Sequence, residues 1–269
     1  MARSLQRCVW VLGLGLAALG ISLGAPLETA PVRLLVPAYF YPAGEGLKAW
    51  DRLIAAADKA PIVAVVDPDN GPGKQVDENY RAVLERARRS QLTLIGYVTL
   101  AYAKRPADAV KADVDRWLAL YPGKVDGIFF DEQPSGPEHV PFVAECFAHA
   151  RRRIKGARIV SNPGTVCAAE YLAVPGRPTV CLFEAKTGVD AYQPPSWGAK
   201  LGAEQVAVLL YDVPKAEGMK RSLQEMLRKR AGYVYVTDDS GANPWDRLPS
   251  YWDEEVAAVA ETNRRTPGR

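Results

Sequence analysis

Histidine is nearly missing from this chain. His139, in a Pro-rich loop, and His149, beside Arg151 to Arg153, are the two among 269 residues, so a zinc site or a Ser-His-Asp triad has little to be built from. Cysteine is scarce as well. Cys8, Cys146, Cys167 and Cys181 form no CxxC pair, which removes the usual spacing of a thiolate metal site. No GxGxxG follows the first apolar run, and Asn70-Gly71-Pro72-Gly73 lacks the lysine of a phosphate-binding loop. Asp67-x-Asp69 opens like a calcium loop, but Gly71 and Pro72 stand where a ligand and the sharp-turn glycine should be. A plain turn or a substrate-facing loop fits that segment better, and neither metal nor cofactor is expected. Excess charge is also absent: 34 Lys and Arg face 31 Asp and Glu. With no interleaving of basic and aromatic residues, a nucleic-acid surface is not expected.

What is present begins with a leader. Arg3 and Arg7 precede an apolar stretch from Val9 to about Ser22, followed by Ser22-Leu23-Gly24-Ala25. This is the pattern of a secretory signal peptide cleaved near Gly24 or Ala25. The stretch is short for a membrane span of roughly 20 residues, although an uncleaved anchor is the alternative. Residues 1–25 are thus expected to be a leader and 30–265 a single catalytic domain, secreted, periplasmic or held at the cell surface, and monomeric. Without Arg3 and Arg7 the formal charge falls from +3 to +1. Three cysteines then remain, an odd number, so at least one thiol stays free or pairs between chains; buried structural thiols are expected, with a Cys167–Cys181 bridge as an alternative. The basic end, Asn263 to Arg269, reads as a frayed, solvated tail.

Along the rest of the chain, strand and helix patterns alternate. Strands are expected at Arg33–Tyr39, Ile62–Val66, Thr93–Val98, Gly127–Phe130, Arg158–Ser161, Thr179–Phe183, Gln205–Tyr211 and Tyr233–Thr237. Helices are expected at Gly46–Lys59, Val76–Ser90, Pro106–Leu120, Val140–Ile154, Met219–Lys229 and Trp252–Asn263. In the second of these, Tyr80, Val83, Leu84 and Ala87 form one apolar stripe. Cys167 to Leu172 offers at most a short helix, so the fifth unit is irregular. Eight strands recurring at about the length of one β/α unit predict an α/β protein with a (β/α)8 TIM-barrel fold, for which about 250 residues is usual. An open doubly wound sheet is the alternative.

The polar residues gather at strand ends. Gly127-Ile128-Phe129-Phe130 runs straight into Asp131-Glu132, and carboxylates at the C-terminal end of a buried strand reduce stability unless they do something. In a barrel that end opens onto the mouth, where catalytic groups collect. Tyr39, Asp67, Tyr97, Asn162, Glu184, Tyr211 and Asp238 fall at or next to other strand ends, and Asn70 on the loop after the second strand. Acids, aromatic faces and an amide on one rim suit a carbohydrate: carboxylates for chemistry, rings for sugar C–H surfaces, amides for hydroxyls. Asp131 and Glu184 lie 53 residues apart, about two β/α units, which makes them near neighbours. Such a pair suits glycosidic cleavage. Regular alternation would point Asp131 and Glu132 to opposite faces, so both reach the pocket only where the strand twists or ends.

Together these residues carry a resemblance. Leu35-Val36-Pro37-Ala38-Tyr39-Phe40-Tyr41-Pro42, Asp67-Pro68-Asp69-Asn70-Gly71-Pro72-Gly73, Ile95-Gly96-Tyr97-Val98 and Asp113-Val114-Asp115-Arg116-Trp117 make up its first half. Asp126-Gly127-Ile128-Phe129-Phe130-Asp131-Glu132, Ser161-Asn162-Pro163-Gly164-Thr165 and Phe183-Glu184 complete it. In this order, over nearly the whole chain after the leader, they resemble the spherulin 4 family, glycoside hydrolase family 135. The resemblance implies a (β/α)8 barrel and secreted hydrolysis of galactosamine-containing polysaccharide, such as α-1,4-linked N-acetylgalactosamine tracts, with the acidic trio at Asp131, Glu132 and Glu184. Asp67-Pro68-Asp69-Asn70 departs from the Asn-Pro-Asn-like sequence expected there, which bears on sugar preference. Asp131 is read as nucleophile or charge stabiliser and Glu184 as general acid/base, with retention of configuration; in a competing version the substrate's acetamido group attacks and one acid of the Asp131-Glu132 pair orients it. A non-catalytic, wall-associated polysaccharide-binding protein is the alternative from another class.

Overall fold

A computed structural model describes residues 30–186 and 188–265. The leader, Cys8 and the last residues of the basic tail lie outside the described residues.

Eight parallel strands close on themselves in chain order. They are β1 (Arg33–Ala38), β2 (Ile62–Val66), β3 (Thr93–Thr99), β4 (Gly127–Asp131), β5 (Arg158–Ser161), β6 (Thr179–Lys186), β7 (Val206–Tyr211) and β8 (Tyr233–Val236). Closure is made by β1 on β8, with Arg33 opposite Tyr233 and Leu34 opposite Val234. Around them run α1 (Gly44–Ala56), α2 (Glu78–Ala87), α3 (Ala107–Leu120), α4 (Val140–Arg153), α5 (Ala216–Arg228) and α6 (Trp252–Arg265). The architecture is the expected (β/α)8 barrel. After β5 only a 3-10 turn, Ala169–Ala173, covers the wall, and between β6 and β7 the 3-10 turns Val189–Ala191, Ser196–Lys200 and Ala203–Gln205 replace a helix.

Sequence periodicity sets which face each element buries. In α2 the stripe Tyr80, Val83, Leu84 and Ala87 is buried, and Asp77 starts the helix by accepting from the Asn79 and Tyr80 N–H groups at 2.9 and 3.0 Å. On β4 the two phenylalanines divide the work. Phe129 stacks on Tyr97 of β3, with ring centroids 6.2 Å apart, whereas Phe130 packs on Phe147 of α4 at 5.1 Å. Asp131 therefore shares the inner parity of Phe129. Gly96 is required on β3 because a Cβ there would come within 2.5 to 2.7 Å of the Trp117 indole, whose N–H donates to the Tyr97 carbonyl at 2.8 Å.

Cys146, Cys167 and Cys181 are buried free thiols, so the alternative of a Cys167–Cys181 bridge is not realised. His149 is half-buried, its Nε2 lying 3.0 Å from Asp115 across the α3–α4 contact.

Candidate active site

The ends of β4 and β5 are stitched so that two acids share one amide. The Asn162 N–H donates to the Phe130 carbonyl at 2.9 Å and the Gln133 N–H to the Asn162 carbonyl at 3.0 Å, continuing the β4–β5 ladder past the last strand residues. Asn162 Oδ1 accepts from the Gly164 N–H at 2.8 Å, which fixes the amide and turns Nδ2 toward the barrel axis. That nitrogen donates to Asp131 at 2.9 Å and to Glu184 at 2.6 Å. Two bonds to one atom hold the accepting oxygens no more than about 5.5 Å apart.

Glu184 reaches this point because of an irregularity in β6. Cys181 pairs with Ala207 and Phe183 with Val208, so Leu182 is an extra residue and Glu184 lies opposite Leu209. The bulge gives Glu184 the same parity as Cys181, on the inner face.

Both acids are held above the usual carboxylate range by burial. For Asp131 this is opposed by hydrogen bonds from the Glu132 N–H, the Tyr97 hydroxyl and Asn162. For Glu184 it is opposed by Asn162 and by Trp245, while the charge of Asp131 pushes it further up. Tyr97 donates to Asp131 at 2.9 Å, and Tyr39 sets its ring edge-on to Tyr97 at 5.8 Å. Burial and then the charge of Asp131 drive the Tyr39 hydroxyl well above its ordinary pKa, with smaller contributions from Tyr97, Asp67 and Glu184. Asp67 belongs to the same cluster: burial, opposed by the Gly71 N–H at 2.6 Å and reinforced by Asp131 and Asp69, raises its carboxyl to about 6.

The other residues singled out in the sequence divide. Glu132 ends the strand in a left-handed conformation, φ 52, and its carboxylate accepts the Thr99 hydroxyl at 2.5 Å on the neighbouring wall. Asn70 is exposed, at φ 49 in the turn after β2. Tyr211 packs edge-on against Trp245 at 5.8 Å. Asp238 is engaged within its own loop. It is taken by Arg247 at 2.7 Å and by the Ser250 N–H at 3.2 Å, and those bonds, overcoming its burial, hold its pKa low. It serves the loop between β8 and α6.

That loop supplies what sequence reading missed. Trp245 lies near Glu184 and favours its carboxylate, and it packs on Tyr211 and Tyr235. Its signal was a tryptophan in a non-periodic stretch following the last strand, at the end of the barrel where function gathers. A groove between α5 and α6, lined by Lys220, Gln224, Glu254 and Glu261, lies on the outer ring away from these acids.

The chain and its barrel have known relatives. Spherulin-4 of Physarum polycephalum is 28% identical over 265 residues, covering 94% of this chain and 78% of that protein. The crystal structure of Aspergillus clavatus Sph3 in complex with GalNAc superposes with a TM-score of 0.72 at 24% identity, covering 87% of this chain and 98% of that one. A GH99 endo-alpha-mannosidase from Bacteroides thetaiotaomicron gives 0.54 at 10% identity over 84% and 81% of the two chains. A thermostable chitinase domain from Pyrococcus furiosus gives 0.53 at 12%, over 90% and 98%. The barrel is thus shared with glycoside hydrolases. The family profile described as Spherulation-specific family 4 matches residues 33–259, and the chain belongs to that family.

Proposed function

We propose that the protein is a secreted glycoside hydrolase that cleaves N-acetylgalactosamine-containing polysaccharide with retention of anomeric configuration. The observation that carries this reading is the single Asn162 amide nitrogen bonded to both Asp131 and Glu184. It caps the distance between the accepting oxygens at about 5.5 Å, which favours the roughly 5 to 5.5 Å of retaining enzymes over the roughly 6.5 to 9.5 Å that leaves room for an inverting water.

Hydrogen bonding divides the roles. Asp131 accepts from Tyr97 and Asn162, each at 2.9 Å, with the Glu132 N–H acting in the same direction, and each favours the carboxylate over the acid. Asp131 is the nucleophile that attacks the anomeric carbon. Glu184, raised by burial and by the neighbouring Asp131 charge, carries the proton delivered to the leaving glycosidic oxygen. The resulting carboxylate then takes a proton from the water that releases the sugar from Asp131. Tyr39 and Tyr97 supply aromatic edges beside the reacting ring. The sugar assignment is supported by the relative crystallised with GalNAc, and secretion by Arg3, Arg7 and the apolar stretch after them.

The test is incubation of the purified protein with α-1,4-linked N-acetylgalactosamine polymer, its deacetylated form and unrelated exopolysaccharides, with released oligosaccharides read by mass spectrometry. Release from the acetylated polymer is expected, lost in Asp131→Asn and Glu184→Gln variants that still fold. Binding without release would instead make the protein a polysaccharide-binding member of the family.

A further inference from the structure

Among the described residues three large hydrophobic side chains stay exposed: Tyr41, Tyr102 and Val166. Each sits on a loop that follows a strand, after β1, β3 and β5 respectively. Uncovered apolar surface is therefore collected on the face that carries the acids. Tyr41 is tied down, its hydroxyl donating to Asp77 at 2.9 Å and accepting from Asn79 at 2.8 Å. Tyr102 is the most exposed, at 53%.

Tyr102 is presented by an unusual backbone. Ala101, Tyr102 and Ala103 have φ of 47, 52 and 62, three successive residues in the left-handed region that L residues avoid. Strain of this kind persists only where surrounding bonds impose it. Here the bonds come from the acid-bearing segment. The Leu100 N–H donates to the Asp131 carbonyl and the Tyr102 N–H to the Glu132 carbonyl, both at 2.8 Å. The Ala101 N–H donates at 2.9 Å to the Thr99 hydroxyl, which in turn donates to the Glu132 carboxylate at 2.5 Å. The Tyr102 hydroxyl lies close enough to the site that, after partial burial, the charges of Glu132, Asp131 and Glu184 raise its pKa. A tyrosine ring offers a flat apolar face at low conformational cost, the surface against which the C–H side of a pyranose packs.

We infer that Tyr102 is the aromatic wall of a sugar subsite beside Asp131 and Glu184, and that Glu132 is the positioning residue that holds it there through Thr99 and the left-handed turn. The inference rests on the carbohydrate reading of the site and adds the face that grips a ring of the polymer. Glu132 then acts through Tyr102.

The test is calorimetric titration with α-1,4-linked N-acetylgalactosamine oligomers, in a Glu184→Gln parent so that the probe is not consumed. Tyr102→Ala is expected to weaken binding about tenfold, equivalent to about 1.4 kcal/mol, while Tyr102→Trp stays within about twofold of the parent. Both neighbours of Tyr102 are already alanines at positive φ, so the turn accepts this change, and an unchanged melting temperature checks that it does. Glu132→Gln keeps an acceptor for Thr99 and retains binding. Glu132→Ala weakens binding as Tyr102→Ala does, and the two together weaken it no further, as expected of residues acting through one contact. Parent-like binding by Tyr102→Ala would overturn the wall, and a Glu132→Gln as weak as Glu132→Ala would overturn the positioning role. A parent that binds no oligomer would overturn the carbohydrate reading itself, and the wall with it.

Discussion

Replacing Asn162 by leucine should move the whole pH profile of cleavage toward alkaline pH. Leucine approximates the shape of asparagine and keeps water out, but removes the donor bonded to Asp131 at 2.9 Å and to Glu184 at 2.6 Å. A hydrogen bond to a charged group is worth about 1.5 to 3 kcal/mol net, and about 1.4 kcal/mol corresponds to one pKa unit. Each carboxyl therefore becomes easier to protonate by at least about one pH unit. In the retaining scheme the acidic limb of kcat/KM follows ionisation of Asp131 and the alkaline limb follows loss of the Glu184 proton, so both limbs rise and the bell translates by about one unit. The shorter bond to Glu184 makes the alkaline limb move at least as far. Stability carries the same sign. Because the folded pKa of both acids is raised, their contribution is full below the ordinary carboxylate range and is lost as pH rises through the folded value. The variant enlarges that loss, so its melting temperature falls further behind wild type as pH rises above the ordinary carboxylate range. Initial rates of oligosaccharide release across pH, with melting curves in the same buffers, give both readings. A profile that stays in place or moves to acid pH would refute the shared-donor argument.

Three further outcomes follow from neighbouring contacts. Tyr97→Phe removes a donor from Asp131 alone and Trp245→Phe removes the indole that favours the Glu184 carboxylate, so the first should raise the acidic limb and the second the alkaline limb; the opposite pattern would exchange nucleophile and acid. Asp67→Asn keeps an acceptor for Gly71 and removes a carboxyl held at about 6. It should raise stability at pH 7.5 by no more than about 3 kcal/mol, less after solvent screening, with the gain shrinking as pH falls through 6 and vanishing below about 4; a gain that persists at pH 3 in melting curves would contradict the cause given. Gly96→Ala drives a methyl into the Trp117 indole and should cost about 1 to 3 kcal/mol in chemical denaturation, an effect relieved by pairing it with a smaller residue at 117.

The barrel was legible in local pattern. Its eight apolar runs all became strands, because a strand buried on both faces is written as a short continuous apolar run that no distant contact has to specify. The rim was legible too: Tyr39, Asp67, Tyr97, Asp131, Asn162 and Glu184 sit at strand ends and converge, since closure brings the ends of β1 to β6 to one mouth. Which of the rim residues act together depends on contacts made across the barrel. The Leu182 bulge that turns Glu184 inward depends on pairing with β7, and the capture of Asp238 by Arg247 on the folding of a loop. The delivery of Trp245 to Glu184 is a contact between segments 61 residues apart, with no periodicity to announce it. The same holds for Glu132, whose left-handed φ breaks the strand alternation a regular reading assumes and hands its carboxylate to Thr99. Local pattern encodes burial and period; the direction of a side chain at an irregular strand end is set by its partners across the barrel.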